Sequence, residues 1–325
     1  MTLSRGTASN QETRNPLASS LGGRQHAAMF DIPGRIKCGT VAAPDFDASL
    51  ADWHGMLGLE LVHEGRIPEA LAASWAAPAL AGARQALLRP ASGNACFIRI
   101  IEQANVKSYV PLRSYGWASF EITVRDVFAL HAQLVDSGFR VIGPPRHVDG
   151  FTTFIPMQAI GRAGEVVYLN QVLQSMADLD LPVATSDIDQ IFIAVLAAPD
   201  RAAAVRFHVD QLGFAEGDTY VIAYGVINDA FRLPADTKTA ITMTRTGRMP
   251  ASEVDQYPDG TTARVIPTGG LPPGNSMVSF ACGNLDSITA PCIGPVARID
   301  DPLYAGRRSA CFRGTAGELV EMIEL

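Results

Sequence analysis

Short apolar stretches of strand character alternate along this chain with stretches whose apolar residues recur three and four apart. The first stretch of strand character begins near Ile36, where Lys37-Cys-Gly-Thr-Val-Ala-Ala43 predicts a strand closed by Pro44 and Asp45. Leu50, Trp53 and Leu57 then fall at i, i+3 and i+7, one helix face, with Asp45 or Asp47 as the capping acid and Gly58 as the stop. Residues 59–63 return to strand, and a strand at residues 95–102 closes the unit. The pattern restarts at residues 119–126, with a helix over 127–136 stopped by Ser137 and Gly138 and strands at 139–143 and 164–170. It restarts at residues 189–195, where Pro199 suits a first helical turn and Val205, Val209 and Leu212 repeat the helical face before Gly213. A fourth restart is residues 277–282, followed by Asn284-Leu285-Asp286, a short helix and a last strand over 318–324.

Each restart is a strand, a helix and then strands, at a spacing of roughly 70 to 90 residues, which fixes the fold before any single motif does. Residues 1–33 are polar and Gly-, Ser- and Arg-containing, and are expected to be a flexible arm without a secretory signal. Residues 175–186, polar and carrying Pro182, are expected to link two halves. Residues 248–273, rich in Pro, Gly and Thr, are expected to be an irregular connection between the third and fourth units. The 325 residues carry a net charge of -7, which argues against a nucleic-acid surface. No apolar run approaches the roughly 18 residues of a membrane span. The five Cys are scattered and form no CxxC, which suits buried thiols in a reducing, cytoplasmic compartment.

Two segments carry a family resemblance. Residues 307–324, Arg-Arg-Ser-Ala-Cys-Phe-Arg-Gly-Thr-Ala-Gly-Glu-Leu-Val-Glu-Met-Ile-Glu, resemble the closing hairpin of a βαβββ module of the vicinal oxygen chelate superfamily. That superfamily includes glyoxalase I, the bleomycin-resistance proteins and the extradiol dioxygenases. Residues 45–62, Asp-Phe-Asp-Ala-Ser-Leu-Ala-Asp-Trp-His-Gly-Met-Leu-Gly-Leu-Glu-Leu-Val, resemble the entry to such a module. The resemblance implies an α+β fold of four βαβββ modules paired into two incomplete barrels. Modules one and two would form the barrel of residues 34–175, and modules three and four that of residues 186–325.

The resemblance also implies metal-ligand positions on the first and last strand of each module. Here they hold Cys38, Ser119, Gln190 and Met277 on the first strands and Arg99, Tyr168, Thr242 and Glu321 on the last. None of the six His falls on one of them. A guanidinium at Arg99 repels a cation, and a catalytic metal needs about three N, O or S ligands, so the expectation is no metal and no other cofactor. Glu321 alone keeps the family's ligand chemistry. It is expected to be the catalytic group of the C-terminal trough, with Gln190 as its hydrogen-bonding neighbour and Met277 as apolar wall. Arg99 and Tyr168 are candidates to clamp a substrate carboxylate or phenol, Cys38 beside an arginine is a candidate thiolate, and Ser119 and Thr242 would line the troughs.

A lone carboxylate in an apolar trough suits proton abstraction next to a carbonyl, as in a metal-independent lyase or isomerase acting on a small aromatic or carbonyl compound. A non-catalytic small-molecule binding or resistance protein, a metal-dependent dioxygenase with unconventional ligands and a structural partner acting through its arm remain open at this level, as does a homodimer. Neither a nucleic-acid nor a membrane partner is expected.

Overall fold

The computed structural model describes residues 31–147 and 152–325; most of the expected arm lies outside them. The first module runs β1 (Ile36–Ala43), α1 (Phe46–Leu50, continued by a wider turn over Ala51–Met56), β2 (Glu60–Arg66), α2 (Glu69–Ser74), β3 (Arg84–Arg89) and β4 (Phe97–Glu102). The second runs β5 (Gly116–Val124), α3 (Val127–Leu134), β6 (Arg140–Gly143), β7 (Phe154–Ile160) and β8 (Val166–Val172). The third runs β9 (Ile188–Ala198), α4 (Arg201–Arg206, continued through Phe207–Gln211), β10 (Ala215–Ala223), α5 (Gly225–Phe231), β11 (Lys238–Thr246) and β12 (Met249–Gln256). The fourth is β13 (Gly274–Cys282), a turn at Leu285–Ser287, β14 (Ala297–Arg298), β15 (Arg308–Arg313) and β16 (Leu319–Glu324). Among the described residues no helix is long and apolar enough to cross a membrane.

The same device starts the helical segment of every module. Asp45, Asp126, Asp200 and Asn284 are extended, and their side chains accept from backbone N–H groups of the first turn, at Ala48, at Phe128 and Ala129, at Ala203 and at Asp286. Each satisfies a donor that the helix cannot, a contribution of about 1 kcal/mol.

The strands form two 8-stranded sheets, β14-β15-β16-β13-β1-β4-β3-β2 and β10-β11-β12-β9-β5-β8-β7-β6. The four-module α+β architecture is therefore as expected, but the partners differ. Module one pairs with module four through antiparallel β1 and β13, and module two with module three through β5 and β9. The division into residues 34–175 and 186–325 is corrected accordingly, because residues 175–186 lie within the second barrel. Residues 248–273 are not wholly irregular either: β12 is the last strand of module three, parallel to β9.

One apolar cluster joins the convex faces of both sheets with the helices, through residues such as Val41, Trp53, Phe120, Leu130, Phe207 and Phe280. Gly39 permits the close approach, since a Cβ there would lie 2.7 Å from the Phe120 ring. A repeated turn, Gly161-Arg-Ala-Gly-Glu165 and Gly314-Thr-Ala-Gly-Glu318, ties the sheets together. In both, the glutamate bends back to accept from the alanine N–H at 2.9 Å. Glu165 also accepts from Trp53 Nε1 of module one at 3.0 Å, and Glu318 stands 3.4 Å from His208 Nε2 of module three. Trp53 and His208 each lie five residues before the helix-stopping glycine, Gly58 and Gly213. Each turn thus joins consecutive modules that belong to different sheets.

Asn275 on β13 completes the junction: its Oδ1 accepts from Val166 N at 2.8 Å and its Nδ2 donates to Val166 O at 3.1 Å. Asn275→Ala leaves a buried N–H and C=O unpaired, and is expected to lower unfolding free energy by about 2 kcal/mol. Urea denaturation followed by tryptophan fluorescence measures it; an unchanged midpoint would show the junction to be slack.

Candidate functional site

The two troughs are built alike and filled differently. In the trough of modules one and four, β1, β4, β13 and β16 bring together Cys38, Arg99, Met277 and Glu321, all completely buried. Glu321 accepts from Trp75 Nε1 at 2.9 Å, Ser279 Oγ at 2.6 Å and Tyr304 Oη at 2.7 Å. Tyr304 in turn accepts from Arg99 Nη2 at 2.8 Å, so the phenol links guanidinium to carboxylate. Arg99 lies over the rings of Trp75 and Tyr304, 4.8 and 5.2 Å from their centroids. Trp75 closes α2, and Leu71 from the same helix packs with Leu87, Met277, Leu303 and Ile323 over the sheet. This trough is occupied by the protein's own side chains. Burial pushes the Cys38 thiol up to about 12 in spite of Arg99, so it is not a thiolate at neutral pH.

Gln190 is not the neighbour of Glu321. It lies on β9 of the other sheet, where its Oε1 accepts from Arg35 Nη2 at 3.2 Å. Thr242 lies on β11, not on the last strand of its module, and its hydroxyl turns to α4, bonded to Arg201 and to Thr219. Ser119 is completely buried on β5, its Oγ without a partner. Arg99 and Tyr168, expected as one clamp, are in different troughs.

The trough of modules two and three is open. A cavity of about 560 Å³ is walled by Ile142, Phe154 and Val226 and has Glu121, Asn170 and Glu253 at its polar side. Glu121, in the middle of β5, is 6% exposed and accepts from Asn170 Nδ2 at 2.6 Å. Glu253 on β12 is 8% exposed and accepts from Tyr224 Oη at 3.1 Å. Asp255, two residues on along the same strand face, is completely buried. No donor reaches either of its oxygens, and its polar neighbour is the Glu253 carboxyl. Tyr168 lines the cavity and its hydroxyl has no partner. At the rim stand Arg146, which is exposed, and Asp229.

Burial dominates the ionisation of these acids. It raises Glu253 to about 7. Glu121 and Asp255 are raised well above the ordinary carboxylate range, by burial first and then by the charge of Glu253. Among the described residues no lysine, arginine or histidine acts on any of the three.

No family model and no curated protein sequence matches the chain. Solved structures do. Glyoxalase I from Zea mays superposes with a TM-score of 0.60 at 14% identity, over 89% of this chain and 92% of its own. A putative dioxygenase from Bacillus subtilis superposes with a TM-score of 0.57 at 12% identity, over 90% of this chain and 85% of its own. The chain shares its fold with these two proteins.

A metal does not fit the residues at the positions where the sequence resemblance puts its ligands. In the closed trough they are a guanidinium, a neutral thiol, a thioether and a carboxylate whose two oxygens already accept from three donors. In the open trough Gln190 and Thr242 are engaged elsewhere, which leaves one hydroxyl and one phenol. Among the described residues no three of His, Cys, Asp and Glu are grouped to hold a metal. Sequence analysis missed Glu121, Asn170, Tyr224, Glu253 and Asp255 as a set. The available signal was the spacing of Glu253 and Asp255, two acids of one parity on a strand.

The elevated Glu253 sets a pH dependence of opposite sign to that of a salt-bridged acid. Its neutral form is the one burial favours, so stability is full below about pH 4.5 and is lost as pH rises through about 7. Glu253→Gln is expected to be more stable than the parent by roughly 2 kcal/mol at pH 8 and equal to it at pH 4. Chemical denaturation at both pH values checks this; a difference independent of pH would contradict it.

Proposed function

We propose that this protein binds a small, partly apolar compound in the open trough and moves a proton on it, as a lyase or isomerase that uses carboxylates in place of a metal. The observation that carries the proposal is Glu253, a carboxyl facing the cavity with its pKa raised to about 7. Such a group is present in both protonation states at neutral pH, which is what a general acid-base catalyst needs. Tyr224 orients it, and Glu121, held by Asn170, faces the same cavity as a second acid-base group. Ile142, Phe154 and Val226 give the occupant an apolar surface and restrict water around the acids. Glu321 has the chemistry expected of a catalytic carboxylate, but its oxygens are enclosed and bonded within the closed trough. The fold likeness to a glyoxalase and a putative dioxygenase supports the trough as the place of binding and says nothing of the reaction.

The test is solvent deuterium exchange into a panel of small enolisable ketones, followed by proton NMR. Exchange by the parent is expected to rise with pH through about 7 and to fall by about 10²-fold or more in Glu253→Gln. Binding without exchange would make this a sequestering protein, and exchange unaffected by Glu253→Gln would remove Glu253 from the mechanism.

A further inference from the structure

The two troughs differ in where their cation comes from. In the closed trough one carboxylate, Glu321, is matched by an internal guanidinium, Arg99, through Tyr304. In the open trough Glu121 and Glu253 face the cavity, with Asp255 beside Glu253 on its strand, and no cationic side chain among the described residues acts on them. Most of the polar atoms left without partners around the cavity are acceptors. Asn170, 1% exposed and lining the cavity, uses its amide N–H on Glu121 and leaves Oδ1 unpaired. Both Asp255 oxygens lack a donor, and the hydroxyls of Tyr168 and Tyr257 are unpaired. The Asn170 carbonyl oxygen and an ionised carboxylate can only accept from a ligand, and hydroxyls are able to. Buried acceptors in such number call for a donor.

We propose that the natural occupant of this trough carries a protonated nitrogen, a primary or secondary organic ammonium, which donates to Glu121, Asn170 Oδ1 and Glu253. This rests on the open trough being the binding site. The rings of Tyr168 and Tyr224, with centroids 6.3 Å apart, line the same cavity as the acids and add π-systems that favour a cation, and the apolar wall suits the carbon skeleton attached to it. A bare divalent metal fits less well, since no three ligating side chains are grouped to surround it. At the rim the opposite charges of Arg146 and Asp229 give no net bias to the entrance, so selection falls to the floor.

The probes are benzylamine, benzyl alcohol and benzoate, which share a ring and differ in charge and donors. Isothermal titration calorimetry at pH 7.5 is expected to show benzylammonium binding about tenfold or more tightly than the alcohol, and benzoate weakest. Glu121→Gln is expected to reduce that preference to less than about threefold. Glu253→Gln serves as the second variant, with circular dichroism reporting that each is folded. Alcohol or benzoate binding as tightly as the amine would overturn the inference and leave the trough as a binding site. A preference for the amine that survives in both folded variants would also overturn it, as would stabilisation by Mg2+ or Zn2+ with no response to the amine. If none of the three compounds binds, both this inference and the choice of trough fail.

Discussion

A carboxylate enclosed among strands needs donors, a counter-charge or a proton, and this requirement organises both troughs. Leaving an ionised acid in an apolar interior without any of these costs several kcal/mol. Glu321 is supplied with three donors and, through Tyr304, with the Arg99 charge. Glu121, Glu253 and Asp255 have only Asn170 and Tyr224 as donors, so burial raises all three and they keep their protons to higher pH than an ordinary carboxylate. The Glu321 oxygens are fully donated to and leave no acceptor for a ligand, whereas Asn170 Oδ1 and the Asp255 oxygens have no donor.

The difference arises from insertions at corresponding places in the modules. In module one, α2 lies between the second and third strands and delivers Leu71 and Trp75 onto the sheet. In module three, α5 lies between the corresponding strands, and Tyr224 just ahead of it reaches Glu253 from the side of a cavity that stays open. Module four adds Tyr304 from the turn between β14 and β15, completing the closure of the first trough. The glutamate turns at Glu165 and Glu318 set a turn of one sheet against a helical segment of a module from the other, over one shared core.

The restarts at Asp45, Asp126, Asp200 and Asn284 were legible because capping acids and the change of apolar period are local properties of the chain. The pairing of the modules was not, because β1 meets β13 across more than two hundred residues and neither strand carries a local mark of its partner. The acids of β12 were obscured by composition: Pro250 within the strand and Pro258 and Gly260 beyond it read as irregular chain, and Thr242 was assigned to the last strand in their place. Glu121 stood in plain view between Phe120 and Ile122, but a strand acid is ordinarily solvent-facing, and only the sheet's curvature turns this one inward. The charge of Arg99 was legible in the sequence, while its link to Glu321 depends on Tyr304, a turn residue with no sequence signal for that role.

The central claim is that ligands enter the trough of modules two and three and not that of modules one and four. Methyl-labelled protein titrated with a mixture of small aromatic fragments tests it directly, by carbon–proton correlation NMR. Shifts are expected at Ile142, Ile222 and Val226, which line the open cavity, with Leu71, Leu87 and Ile323 of the closed trough unmoved. Shifts concentrated at Leu71, Leu87 and Ile323 would contradict the account.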